Sequence, residues 1–149
     1  MAPKTRMGEE GIAAAYHRPQ APMARGTRPP RVPGATVDHA AAYVYTVRCT
    51  LADEALAQRW LRWLREEHLA RVCAAGARSA EVIRLEELGE DQPGVVYEVR
   101  YRFASGEDLD QYLAAAAPRL REEGLARFPL ELGLRYQRSW GPVVGVWPG

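Results

Sequence analysis

Lysine is almost missing from this chain: Lys4 is the single one, and arginine carries the rest of the basic side-chain charge. Beside so much alanine and glycine, that bias reads as a high-GC coding habit, so no arginine is marked as a ligand by its type alone. Cysteine is scarce as well. Cys49 and Cys73 fall in an expected strand and an expected helix, and two thiols without further ligands make no metal site. They read as small buried apolar residues. Nothing in that usage calls for an oxidising compartment, and the expected location is cytoplasmic. No apolar run reaches the roughly eighteen residues of a membrane-spanning helix, and residues 1–40 lack the apolar segment of a secretory signal. A charge excess is missing too: a net charge of +1 points by itself to neither nucleic acid nor an acidic surface. G-x-S-x-G, the P-loop and G-x-G-x-x-G are absent, which removes the common hydrolase and nucleotide-binding signatures. No Cys, His or Asp spacing fits a metal motif, and His17 and His39 lie in the N-terminal extension, apart from His68.

What is present fits one domain. The 149 residues include 47% hydrophobic and 26% charged side chains, with four Trp and seven Tyr available for a core. Residues 1–40 are basic and proline-rich, with Lys4, Arg6, Arg18, Arg25, Arg28 and Arg31 set against Glu9, Glu10 and Asp38. Pro29, Pro30, Pro33 and Gly34 preclude a continuous helix there. This extension reads as a disordered tail or an over-extended start; the alternative is an arm that touches a partner or nucleic acid, though its charges form no compact patch. The domain is expected over residues 41–141, with a tail at 142–149.

From Tyr43 the pattern becomes regular. Tyr43, Tyr45, Val47 and Cys49 alternate with Val44, Thr46, Arg48 and Thr50, a strand signature. A long helix follows, with Thr50 or Asp53 as its cap and Leu56, Trp60, Leu64, His68 and Val72 as its stripe, ending at Gly76. Residues 79–88 predict a second strand and 89–94 a hairpin loop; a third strand carries Val95, Tyr97, Val99, Tyr101 and Phe103 on one face. Ser105 and Asp108 form a capping box for a second helix, which Pro118 should kink and Gly124 should end, with one more turn through Phe128. The last strand is expected to carry Leu130, Leu132, Leu134, Tyr136 and Trp140 on one parity. The order β-α-β-β-α-β predicts an α+β fold, the ferredoxin-like plait: a four-stranded antiparallel sheet with both helices on one face. The other face then carries Val44, Thr46, Arg48, Glu98, Arg100, Arg102, Glu131, Arg135 and Gln137. It is either a solvated surface or the seam of a dimer.

Trp60-Leu61-x-Trp63-Leu64 with His68 after it, Tyr97-x-Val99-x-Tyr101, Tyr112-Leu113, Ala117-Pro118-x-Leu120-Arg121-x-Glu123-Gly124, Arg127-Phe128 and Arg138 make a combined pattern. With it the chain resembles the domain-of-unknown-function 4286 family, within the dimeric α/β-barrel superfamily, over about residues 43–140. One corner departs: the family usually has an aromatic shortly after the glycine that ends the first helix, whereas Gly76 is followed by Ala77 and Arg78. The resemblance implies a homodimer paired sheet to sheet, and it brings no activity with it.

Candidate site residues follow from chemistry. His68 is suited to a general base or a haem ligand, or else it packs in the core with a hydrogen-bonded imidazole. Tyr97 is the second catalytic candidate, and Trp60 and Trp63 read as filling between helix and sheet. Arg48, Arg100, Arg102 and Arg135 share one expected face; they suit a small anionic ligand in a closed dimer, or cross-strand salt bridges to Glu98 and Glu131. Arg127 and Arg138 match the family pattern and suit anchoring of a loop or a ligand. The reading is a dimeric ligand-binding or accessory module without a cofactor. The alternatives are a small cofactor-free or haem-dependent monooxygenase-like enzyme, and nucleic-acid association through the arm.

Overall fold

The computed structural model describes residues 41–89 and 93–148. The expectations for the N-terminal extension and for Glu90, Asp91 and Gln92 of the hairpin loop lie outside the described residues. Four strands, β1 (Tyr43–Leu51), β2 (Ser79–Leu85), β3 (Val95–Phe103) and β4 (Leu134–Pro142), form one antiparallel sheet in the order β2-β3-β1-β4. Register follows the alternation: Tyr45 pairs with Tyr101 and Trp140, and Val47 with Val99 and Arg138. One face holds the core against four helical segments, α1 (Glu54–Trp63), α2 (Leu69–Ala74), α3 (Gly106–Ala115) and α4 (Ala117–Arg127).

The caps are local and side-chain driven. The Asp53 carboxylate accepts from the Leu56 N–H at 2.8 Å, so Asp53 rather than Thr50 opens α1; Ser105 accepts from the Asp108 N–H at 3.1 Å. Pro118 does more than kink the second helix. It sits in the first turn of α4, where no N–H is needed, and the chain breaks at Ala116 into two helices.

The first helix is not continuous either. Residues Leu64–His68 form a π-helical turn between α1 and α2. A stripe spaced at i, i+4 drifts by about 40° at every step of an α-helix. The wider turn absorbs that drift, which lets Leu56, Trp60, Leu64 and Val72 all stay buried on one side.

Three boundaries differ from the sequence pattern. β2 stops at Leu85, three residues early. Leu130 and Leu132 imitate strand alternation but lie in one 3₁₀ turn, exposed, and β4 starts only at Leu134. Gly133, at φ 107°, makes that turn, and its carbonyl accepts from the Ala52 N–H at 2.9 Å. Gly124 does not end a helix. It lies inside α4 with Trp63 against it, leaving room for the indole. At Gly76 the corner that lacks a following aromatic is filled by Phe103 and Tyr112.

The uncovered face carries Thr46, Arg48, Glu98, Arg100, Arg102, Arg135 and Gln137, as the alternation requires, and Ile83 and Leu85 join them. Glu131 does not, because it belongs to the 3₁₀ turn. Among the described residues no helix is long and apolar enough to cross a membrane.

Candidate functional site

Between the sheet and the helices lies a cavity of about 40 Å³. The sheet supplies Tyr45 and Val47 from β1, Val99 and Tyr101 from β3, and Tyr136 and Arg138 from β4. The helices supply Trp60, Trp63, Leu64, His68, Tyr112, Leu120, Arg121, Gly124 and Leu125. Each sheet residue is there by parity, since alternate side chains of a strand face the helices. Arg138 is an arginine standing at an inward position, between Tyr136 and Trp140. The π-helical turn delivers His68 to the same space, where its ring stacks on Trp63 at 4.6 Å.

The polar groups are tied to one another. The Trp60 indole N–H donates to the Tyr136 hydroxyl at 3.1 Å, and Arg121 Nη2 donates to the Tyr45 hydroxyl at 3.0 Å. The Arg138 guanidinium lies 5.1 Å from the centre of the Tyr136 ring. Burial pushes the Tyr101 and Tyr112 hydroxyls above their ordinary range, so both stay protonated donors. Burial also lowers His68 to about 4, helped by the positive charges of Arg138 and Arg71 and opposed by Glu123. At neutral pH its imidazole is therefore neutral. Two residues on from Val47 along β1, burial raises the Cys49 thiol to about 12, which leaves it an inert core group.

The other sequence candidates fall elsewhere. Tyr97 is buried but does not line the cavity; its ring stacks on Trp60 at 5.8 Å. Arg48, Arg100, Arg102 and Arg135 do share a face, the one turned away from His68. There Arg48 Nη2 reaches Glu98 Oε2 at 3.0 Å and Arg100 Nη2 reaches Glu98 Oε1 at 2.7 Å, so Glu98 takes a guanidinium on each oxygen. Burial alone would raise the Glu98 carboxyl; the two arginines outweigh it and hold it below the usual range. A cross-strand salt bridge to Glu98 is thus present for Arg48, while Arg100 meets Glu98 along its own strand and Glu81 of β2 at 3.9 Å, and Glu131 is not the partner of either. Arg127 pairs with Glu67 at 3.2 Å on the surface.

Arg121 and the Tyr45, Tyr101, Tyr112 and Tyr136 hydroxyls were not site candidates in the sequence, although Arg121, Tyr101 and Tyr112 stand in the family pattern. An arginine at inward strand parity was the available signal, and it marks Arg138. For Arg121 the family pattern was the signal, and a helix places it at the cavity only once its packing angle is known.

Among the described residues no group of three His, Cys, Asp or Glu side chains could hold a metal ion. A haem does not fit the cavity, which is far below the roughly 300–1,000 Å³ of pockets for drug-sized molecules.

The profile of the domain of unknown function DUF4286 matches residues 42–133. The chain belongs to the DUF4286 family. No curated protein matches it. In fold, this DUF4286 chain is similar to a dimeric ferredoxin-like protein from an uncultured marine organism. That likeness has 11% identity and a TM-score of 0.50, covering 71% of this chain and 98% of the other. It is also similar to a monooxygenase from Streptomyces coelicolor solved with the ligand nanaomycin D. There the identity is 16% and the TM-score 0.51, over 73% of this chain and 93% of the other. At these identities the likeness shows the ferredoxin-like fold of the DUF4286 chain.

Proposed function

We propose that the protein is a homodimeric receptor for a small molecule, a binding or accessory module with no reaction of its own. The cavity carries this reading: a space of about 40 Å³ lined by aromatic rings together with His68, Arg121 and Arg138. Its size weighs against the second reading, a cofactor-free oxygenase. An engineered cavity that binds benzene alone measures about 150 Å³, and an oxygenase of this kind must enclose an organic substrate together with dioxygen. What favours that second reading is His68, neutral at the cavity and so in the state of a general base.

Pairing sheet to sheet is supported by the uncovered face, where Ile83 and Leu85 stand beside the Arg48–Glu98–Arg100 cluster. The fold likeness to a protein described as dimeric agrees with it. Two measurements test the reading. Light scattering at micromolar concentration is expected to give twice the chain mass, and a monomer removes the dimeric half. Titration of small acids, amides and phenols into isotope-labelled protein is expected to shift the Trp60 and Trp63 indole resonances saturably for at least one class. Silence from every class removes the receptor half.

A further inference from the structure

Resting on the sheet-to-sheet pairing proposed above, we infer that the apolar segment after β4 of each copy docks on the Ile83–Leu85 corner of the other copy's uncovered face. Val144 is 88% exposed, Val146 64% and Trp147 93%, whereas Trp60, Trp63 and Trp140 are buried or half-buried. An indole left in water forgoes the burial of roughly 150–250 Å². Exposed apolar side chains gathered in one stretch mark a contact surface. No charged residue lies between Val143 and Pro148. The segment therefore matches apolar surface rather than the Arg48–Glu98–Arg100 centre of the face.

Ile83 and Leu85 offer that surface. Both are half-buried and stand apart from the core cluster. They lie on β2, where Ile83 pairs with Glu98 and Leu85 with Val96. Reach excludes docking within one chain. Gly141 shares a row across the sheet with Val44, Arg102 and Ser79, whereas Leu85 shares one with Val96, Thr50 and Arg135. β4 and β2 are opposite edges of the sheet, so these two corners lie about 25 Å apart at ordinary strand spacing and rise. From Pro142 to Trp147 an extended chain covers at most about 18 Å, and Val144 falls far shorter. A facing sheet is only about 10 Å away. A two-fold axis across the middle of the face, perpendicular to the line joining the two corners, brings each segment over the other copy's Ile83–Leu85 corner. Both contacts then form together, one on either side of the charged centre.

Two measurements on the full chain test this. The first uses a dimer mixed from one copy with labelled indoles and one with labelled isoleucine and leucine methyls. Magnetic resonance is expected to show the Trp147 indole in contact with the Ile83 and Leu85 methyls across the copies. The second is light scattering over a dilution series. Trp147→Ser and Leu85→Ser are each expected to raise the dissociation constant at least about tenfold. The double variant is expected to fall short of the product of the two, as residues in contact do. Leu132→Ser, in the 3₁₀ turn at the other end of β4, leaves dissociation unchanged. Trp147 is exposed, so its variant keeps the fold; should Leu85→Ser fail to fold, Ile83→Thr serves in its place. A dimer whose Trp147 indole meets no methyl of the other copy overturns the inference and leaves the paired sheets standing. So does a dimer that Trp147→Ser does not weaken, or that Leu132→Ser weakens as much. A monomer at every concentration removes the pairing and the inference together.

Discussion

His68 shows how one side chain reports its surroundings. Its proton is held less tightly in the fold, at about 4, than in the unfolded chain, at 6.5. Protonation therefore favours unfolding: the contribution is complete above pH 6.5 and is lost as pH falls from 6.5 towards 4. It amounts to about 3 kcal/mol. Urea midpoints are expected to drop over that window in the native chain and to stay nearly level in His68→Gln, whereas a parallel drop in both sets the source elsewhere. The upper part of that window, between pH 6.5 and about 5, lies above the range in which carboxylates titrate, so the two effects separate there. Two glycines give a second comparison. Gly94 has φ 85°, and a Cβ on it would collide with the Leu51 carbonyl oxygen; Gly89 has φ 84° and open space around it. Gly94→Ala is expected to cost at least about 2 kcal/mol and Gly89→Ala about 1 kcal/mol, since the second meets only the strain of a left-handed backbone. Thermal melts of the two variants check the order.

At the scale of elements, the alternation of aromatic and charged residues made β1 and β3 legible, because a strand repeats every two residues and both faces differ sharply. Helices were legible as stripes but not as shapes. Nothing in Leu64-Arg65-Glu66-Glu67-His68 announces a wider turn; only the need to keep Trp60 and Val72 on one side does. That turn behaves as one residue added to an α-helix. Deleting the exposed Glu66 is expected to close it into regular helix, keep Val72 buried and cost less than the roughly 2 kcal/mol of Val72→Ala. His68 then leaves the cavity, and ligand-induced shifts of the Trp63 indole are lost. A deletion variant that costs more than Val72→Ala contradicts this account. Leu130 and Leu132 misled for a related reason: two alternating leucines resemble a strand, but Pro129 before them and Gly133 after them set a tight turn. The site was half legible. His68 is marked by its place in the helix stripe and Arg138 by the family pattern, while the placing of Arg121 depends on how α4 crosses the sheet.

For the whole molecule, the cluster on the uncovered face is the part that a second copy would meet. Glu98 neutralises one of two guanidiniums there, and both arginines are more than one third exposed, so solvent screens much of the gain. Glu98→Gln is expected to cost about 1 kcal/mol in the single chain. In a sheet-to-sheet dimer it removes one negative charge from each copy, leaving Arg48 without its acid and Arg100 with Glu81 at 3.9 Å, near the arginines of the other copy. Dissociation is then expected to rise about tenfold or more at low salt and less at high salt, measured by light scattering at two ionic strengths. An equal loss at both sets repulsion aside. At the far corner of the same sheet, the Val143 N–H donates to the Ala42 carbonyl at 2.8 Å, extending the pairing of β1 with β4. The plait thus begins and ends at one point. A short linker across it would give a closed ring of chain, and a cut in the β2–β3 connection would give a permuted domain with the sheet pairings of the original.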